Sequence, residues 1–118
     1  MSLRLRSDIW VKAYIRRCTS EGAMAAVVRH GDDDAGAIFI KVNRLDGTCA
    51  LFGPAPAGLD EVDRDRRWVP LLNGETAPEA EVDARLAREA DFDGDLWIVE
   101  VEARDGRHRL EDWLAPRG

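Results

Sequence analysis

Ile38, Ile40 and Val42 alternate with Ala37, Phe39, Lys41 and Asn43, the period of two that marks a strand with one buried face. Asn43-Arg44-Leu45-Asp46-Gly47 then supplies turn chemistry, because Asp and Gly tolerate a left-handed backbone. Cys49-Ala50-Leu51-Phe52 returns as a second strand, so 36–53 predicts a β-hairpin. Upstream, Val11, Tyr14, Ile15 and Cys18 recur at helical spacing with Trp10 beside them, an amphipathic stripe. Ser7 and Asp8 open that helix as a hydroxyl N-cap and a first-turn acid, and Gly22 closes it. Ala23–His30 predicts a short strand, although alanine is a poor strand former.

Past the hairpin, Pro54-Ala-Pro56-Ala-Gly58 and an acidic run to Asp65 read as a loop. Arg67–Leu72 predicts another strand, placed at a sheet edge because Pro70 has no amide to donate. Thr76-Ala-Pro-Glu79 matches a capping box, and Val82, Leu86 and Ala90 give the following helix a thin apolar stripe. Leu96–Ala103 has the densest strand signal in the chain. Leu110, Trp113 and Leu114 suggest a last helical turn. The elements predict one α+β domain over 1–118. Its sheet is antiparallel, of about five strands: a meander over 23–53 and strands near 67–72 and 96–103. Two main helices, 7–21 and 77–91, pack mainly on one face. The short links within 23–53 leave no room for parallel crossovers.

The chain has 118 residues, 45% hydrophobic and 34% charged, a globular composition able to bury a core unaided. No run approaches the roughly 20 apolar residues of a membrane span. The N-terminus lacks the apolar segment of a signal peptide. Cys18 and Cys49 have no CxxC spacing and read as free thiols of a cytoplasmic protein. A net charge of −6 argues against bulk nucleic-acid affinity. It is divided unevenly: residues 1–30 hold six basic groups against two acids, and the remainder eleven against twenty-one. Arg4, Arg6, Lys12, Arg16 and Arg17 are the groups a weaker nucleic-acid reading would use.

Candidate chemistry is sparse. Asp91, Asp93, Asp95 and Glu102 fall at positions 1, 3, 5 and 12 of a calcium loop, but position 6 is Leu96 rather than glycine. The strand that follows would carry Glu102 about 23 Å away. Asp32 and Asp34 belong to an acidic turn, more often solvated than metal-binding. His30 and His108 lie near turns, and no GxSxG, HExxH or phosphate-cradling loop occurs. Lys41, Glu100 and Glu102 are the better catalytic candidates, since strands position groups rigidly. A cross-strand ion pair is the commoner meaning of such residues. No cofactor is implied.

Phe39 lies opposite Ile38 and Ile40, and Trp97 and Val99 lie opposite Leu96 and Ile98. With helices on one face, the other would keep exposed apolar groups, the mark of an interface. Phe39, Trp68, Trp97 and Val99 are therefore the candidate interface residues; a two-fold homodimer is the expected partner, and an unidentified second protein the alternative. The competing reading folds the 54–65 loop over that face.

Ser7–Cys18, Gly36–Gly47, Gly53–Pro56 and Asp95–Glu102 together resemble a bacterial family known as domain of unknown function 1491. The resemblance spans nearly the whole chain. It implies a short, single-domain, soluble bacterial protein, and brings no activity or site residue with it. The leading functional expectation is a non-catalytic interaction module that self-associates. The alternative is a small metal-dependent hydrolase or other enzyme using Lys41 with Glu100 and Glu102, or the Asp32–Asp34 loop.

Overall fold

The alternating segment forms β2 (Ile38–Asn43), and β3 (Thr48–Pro54) returns antiparallel to it with Ile40 opposite Phe52 and Asn43 opposite Cys49. Leu45 and Gly47 take positive φ in the turn. Asp46 Oδ1 accepts from the Thr48 amide at 2.9 Å and from its hydroxyl at 2.6 Å, fixing the reversal. The computed structural model describes residues 5–56 and 66–115. The other elements are α1 (Ser7–Ser20), β1 (Met24–Arg29), β4 (Trp68–Pro70), β5 (Ala77–Pro78), α2 (Glu79–Phe92) and β6 (Trp97–Glu102). Short 3-10 turns occupy Leu72–Gly74 and Glu111–Trp113.

The fold is α+β, with six strands among the described residues rather than about five, because Ala77–Pro78 adds a short pairing to β3. The sheet order is β1-β6-β2-β3-β4, with β5 also on β3. The predicted meander therefore holds only for β2 and β3. β6 lies between β1 and β2, antiparallel to the first and parallel to the second, with Ala26 opposite Glu100 and Ile40 opposite Val99. The physical reason lies in β6 itself: Trp97, Ile98 and Val99 are buried in succession, the signature of a central strand covered on both faces. Alanine-rich β1 is left with the edge. Pro70 sits at the other edge, as its missing amide requires.

The helices lie one on each face, not together on one. Trp10, Val11, Tyr14 and Cys18 of α1 pack with Ile38, Ile40, Trp97 and Val99. Val82 and Leu86 of α2 pack with Phe39, Cys49, Leu51 and Ile98. β2 and β6 carry apolar side chains on both faces, so both faces need a cover. The stripe on α2 is narrow, and the helix settles over β3 and β5. Among the described residues, the β6–β1 side of that face is an open cleft beside α2.

Neither helix has its predicted cap. Arg6 is the N-cap of α1, and Ser7 Oγ donates instead to the Gly36 carbonyl at 2.7 Å. Pro78 precedes α2 without a side-chain cap. On the α1 face the Trp10 ring stacks on Trp68 at 4.0 Å and Tyr14 at 5.1 Å, with the Trp113 edge at 5.2 Å. Trp10→Ala should cost about 4 kcal/mol, by lost burial plus a cavity between those rings, read from urea unfolding.

Candidate functional site

Lys41 stands in the middle of β2 on the α2 face, opposite Glu100 in the parallel register. Glu79 and Asp83, one turn apart at the start of α2, project from the same side of the helix. The Lys41 Nζ is 2.8 Å from Glu79 Oε2, 2.8 Å from Asp83 Oδ1 and 3.5 Å from Glu100 Oε1. Asn43 Nδ2 donates to Glu100 Oε2 at 3.0 Å and Glu79 Oε2 at 3.3 Å, tying helix to sheet beside the ammonium. Lys41 itself is only 5% exposed. Glu102 sits one pleat further along β6, opposite Asn43 and Met24.

Burial alone would lower the Lys41 pKa, but hydrogen bonds to Asp83 and Glu79 and the charge of Glu100 outweigh it and raise it. A lysine so held is a poor base or nucleophile near neutral pH. Its ammonium occupies the place where a cation shared by these carboxylates would sit. The nearby Cys49 thiol is pushed up to about 11, chiefly by burial, with Lys41 opposing; a thiol so suppressed is a weak nucleophile.

Beside this network, Val28, Leu86, Ala87, Ala90 and Ile98 line an open cleft of about 300 Å³ between α2 and β1, with Lys41, Asp83 and Glu100 at its wall. A second hollow, of about 230 Å³, runs along β1 over Met24, Ala26 and Val28 with Glu100 and Glu102. Met24 is 72%, Val28 60% and Val27 40% exposed. This apolar strip went unnoticed in the sequence, where only the run Ala23-Met-Ala-Ala-Val-Val28 hints at it.

The other nominated residues are dispersed. Asp32 Oδ2 accepts the amides of Asp34 and Ala35, so it braces its own turn. Asp34 Oδ1 pairs with Arg6 at 3.3 Å. Asp93 Oδ1 accepts the Asp95 amide, and Asp91 is exposed near the end of α2. The extended β6 carries Glu102 away from them, as the spacing argument required. Among the described residues, no group of three or more His, Cys, Asp or Glu is placed to hold a metal ion.

His30 lies 2.8 Å from Asp33 and against the Trp97 ring at 4.0 Å. His108 Nδ1 accepts the Leu110 amide at 2.8 Å, and burial lowers its pKa, although Glu111 at 3.6 Å pulls the other way. A ring nitrogen that accepts a hydrogen bond carries no proton, so His108 is held neutral.

Phe39, Trp68, Trp97 and Val99 are no more than 7% exposed. They belong to the chain's own core on its two faces, so they form no outward patch. Phe39 is covered by α2 and the others pack with the α1 face. Most of the 54–65 loop lies outside the described residues. On α1, Arg6 is paired with Asp8, while Arg17 pairs with Asp112 and lies 4.3 Å over the Trp113 ring. Lys12 and Arg16 are exposed. Arg4 lies outside the described residues.

Among the described residues this is a two-helix, six-stranded α+β fold whose buried lysine is held by three carboxylates of its own chain and whose β1 strand lies at a sheet edge. A model for proteins of unknown function, DUF1491, matches residues 5–111, and the chain belongs to that family. A crystal structure of a DUF1491 protein from Caulobacter crescentus is 41% identical, with a TM-score of 0.76 over 95% of this chain and 98% of that one. A solution structure of an A. tumefaciens protein is 37% identical, with a TM-score of 0.78 over 98% and 100% of the two chains. Among curated proteins none matches. Among the described residues no helix is long and apolar enough to cross a membrane.

Proposed function

We propose that this chain is a non-catalytic interaction module that self-associates through the β1 edge of its sheet. The observation that carries this reading is the exposure of Met24, Val27 and Val28 on a strand with a neighbour on one side only among the described residues. Such an edge offers unpaired amides and carbonyls as well as apolar side chains. The opposite edge is closed: β4 carries Pro70, Trp68 bridges to Leu114, and Ala115 donates to the Trp68 carbonyl at 2.8 Å. With a single usable edge among the described residues, pairing ends at two copies rather than continuing as a fibre. The catalytic alternative would need Lys41 to lose its proton or leave its site, and three carboxylates oppose both. The nucleic-acid alternative has lost Arg6 and Arg17 to internal partners. Two free, buried cysteines fit a cytoplasmic setting.

A short edge buries less area than a permanent dimer does, so reversible association in the micromolar range is expected. Light scattering during size-exclusion chromatography, across a concentration series, should show the mass rising from monomer to dimer. Val27→Lys should hold the protein monomeric with its circular dichroism unchanged. A wild-type monomer at every concentration would overturn the reading.

A further inference from the structure

Resting on that reading, we infer the geometry of the contact: β1 pairs antiparallel with β1 of a second copy, the two-fold axis passing between the two Ala26 residues. Opposed residues of paired strands point to the same face of the sheet. A symmetric β1 pair must therefore place two copies of one residue opposite each other, which leaves Ala25, Ala26 or Val27 at the axis. β1 runs in register with β6 from Met24 to Val27, after which Val28 bulges and Arg29 falls opposite Ile98.

With the axis at Val27, each Val28 bulge would fall opposite the other copy's Ala26, one residue from the centre, and interrupt the ladder. With it at Ala25, Val28 would fall opposite Gly22, whose φ of +84° has already left the extended conformation. The Ala26 axis keeps every paired residue within β1 and moves each bulge out to the last pair of the ladder, two residues from the centre. It sets each Ala25 against the other copy's Val27, small against large, on the α1 face. On the α2 face it sets Met24 against the other copy's bulge.

Charge agrees with this choice. The basic end of each strand, Arg29, arrives beside the other copy's Met24, whose neighbour across the ladder is Glu102. The two Arg29 residues stay at opposite ends of the contact. Arg29 is held through Nη2 by the Gly94 carbonyl at 3.0 Å, while its Nε has no hydrogen-bond partner among the described residues.

Directly opposed residues in an antiparallel pair have Cα atoms about 4.5–5.5 Å apart, within the reach of a disulfide. Ala26→Cys should therefore give a covalent dimer under oxidised glutathione. Met24→Cys, whose copies would lie about 13 Å apart along the strands, should react at least about tenfold more slowly. Both positions are exposed, and the native Cys18 and Cys49 are buried, so background cross-linking is low. If wild type dimerises by light scattering but Met24→Cys or Ala25→Cys cross-links faster than Ala26→Cys, the register is wrong while self-association stands. If wild type is monomeric throughout and Ala26→Cys does not cross-link, both fall.

Discussion

Lys41→Met is expected to destabilise the fold by about 2 kcal/mol at neutral pH, a fall of roughly 8 °C in the thermal midpoint. The change leaves Glu79, Asp83 and Glu100 crowded around an apolar side chain with no counter-ion. Stranding a fully buried charge costs about 3–5 kcal/mol. Here Glu79 and Asp83 are 42% and 55% exposed, and water screens part of the repulsion. The deficit should narrow at high ionic strength, where salt screens the carboxylates from one another. In the wild type, the raised pKa of Lys41 makes its contribution fully present below the ordinary lysine value of about 10.4. That contribution is lost only as pH climbs beyond it. Urea unfolding of both proteins at low and high salt checks the prediction. A deficit that does not depend on salt would mean that lost packing, not charge, sets the cost.

Gly31→Ala and Gly36→Ala should each cost about 3 kcal/mol. A Cβ on Gly31 would meet the Asp95 carbonyl and lie 2.6 Å from the Leu96 carbonyl carbon. One on Gly36 would meet the same Asp95 oxygen and lie 2.9 Å from Asp32 backbone atoms. Every atom in the way is main chain, so no flexible side chain can yield. The loop between β1 and β2 would have to lift from the start of β6. That would strain the bond from the Asp32 amide to Asp95 O, at 2.9 Å, and the one from Trp97 Nε1 to Asp32 O, at 2.8 Å. Because both glycines press on one carbonyl, the double variant should cost less than the sum. Gly94→Ala, with open space around it, should stay within about 0.5 kcal/mol of wild type. Denaturant midpoints of the four proteins decide the matter.

Those two glycines also mark the limit of what the sequence could tell. Local pattern determined the β2–β3 hairpin, because alternation and the Asp46-Gly47 turn act within a dozen residues. It also placed both helices within a few residues of their observed bounds. The Asp32–Gly36 segment looked like an acidic turn joining β1 to β2, and by itself it is one. Its companion, the Asp95 carbonyl, is supplied from sixty residues away and carries no side-chain signal. Ser7 misled for the same reason: a good cap on local grounds, its hydroxyl is claimed by Gly36 and Arg66. Lys41 and Glu100 could be read as an ion pair, and they are one. The contribution of Glu79 and Asp83 depends on which face α2 covers, and a stripe of Val82 and Leu86 does not state that. The unbroken apolar run from Leu96 to Val99 was the signal available for a central strand. Recognising it would have separated β1 from β2.

The position of β6 governs the order in which the molecule can assemble. β1 and β2 are consecutive along the chain yet share no ladder, and the strand that joins them is the last of the sheet to be made. During synthesis the hairpin can close early, while β1 and the adjoining helix wait until residue 102 has emerged. Contacts of such long sequence separation slow the search for the native state. A nascent chain halted before Trp97 should remain open to protease in its first thirty residues.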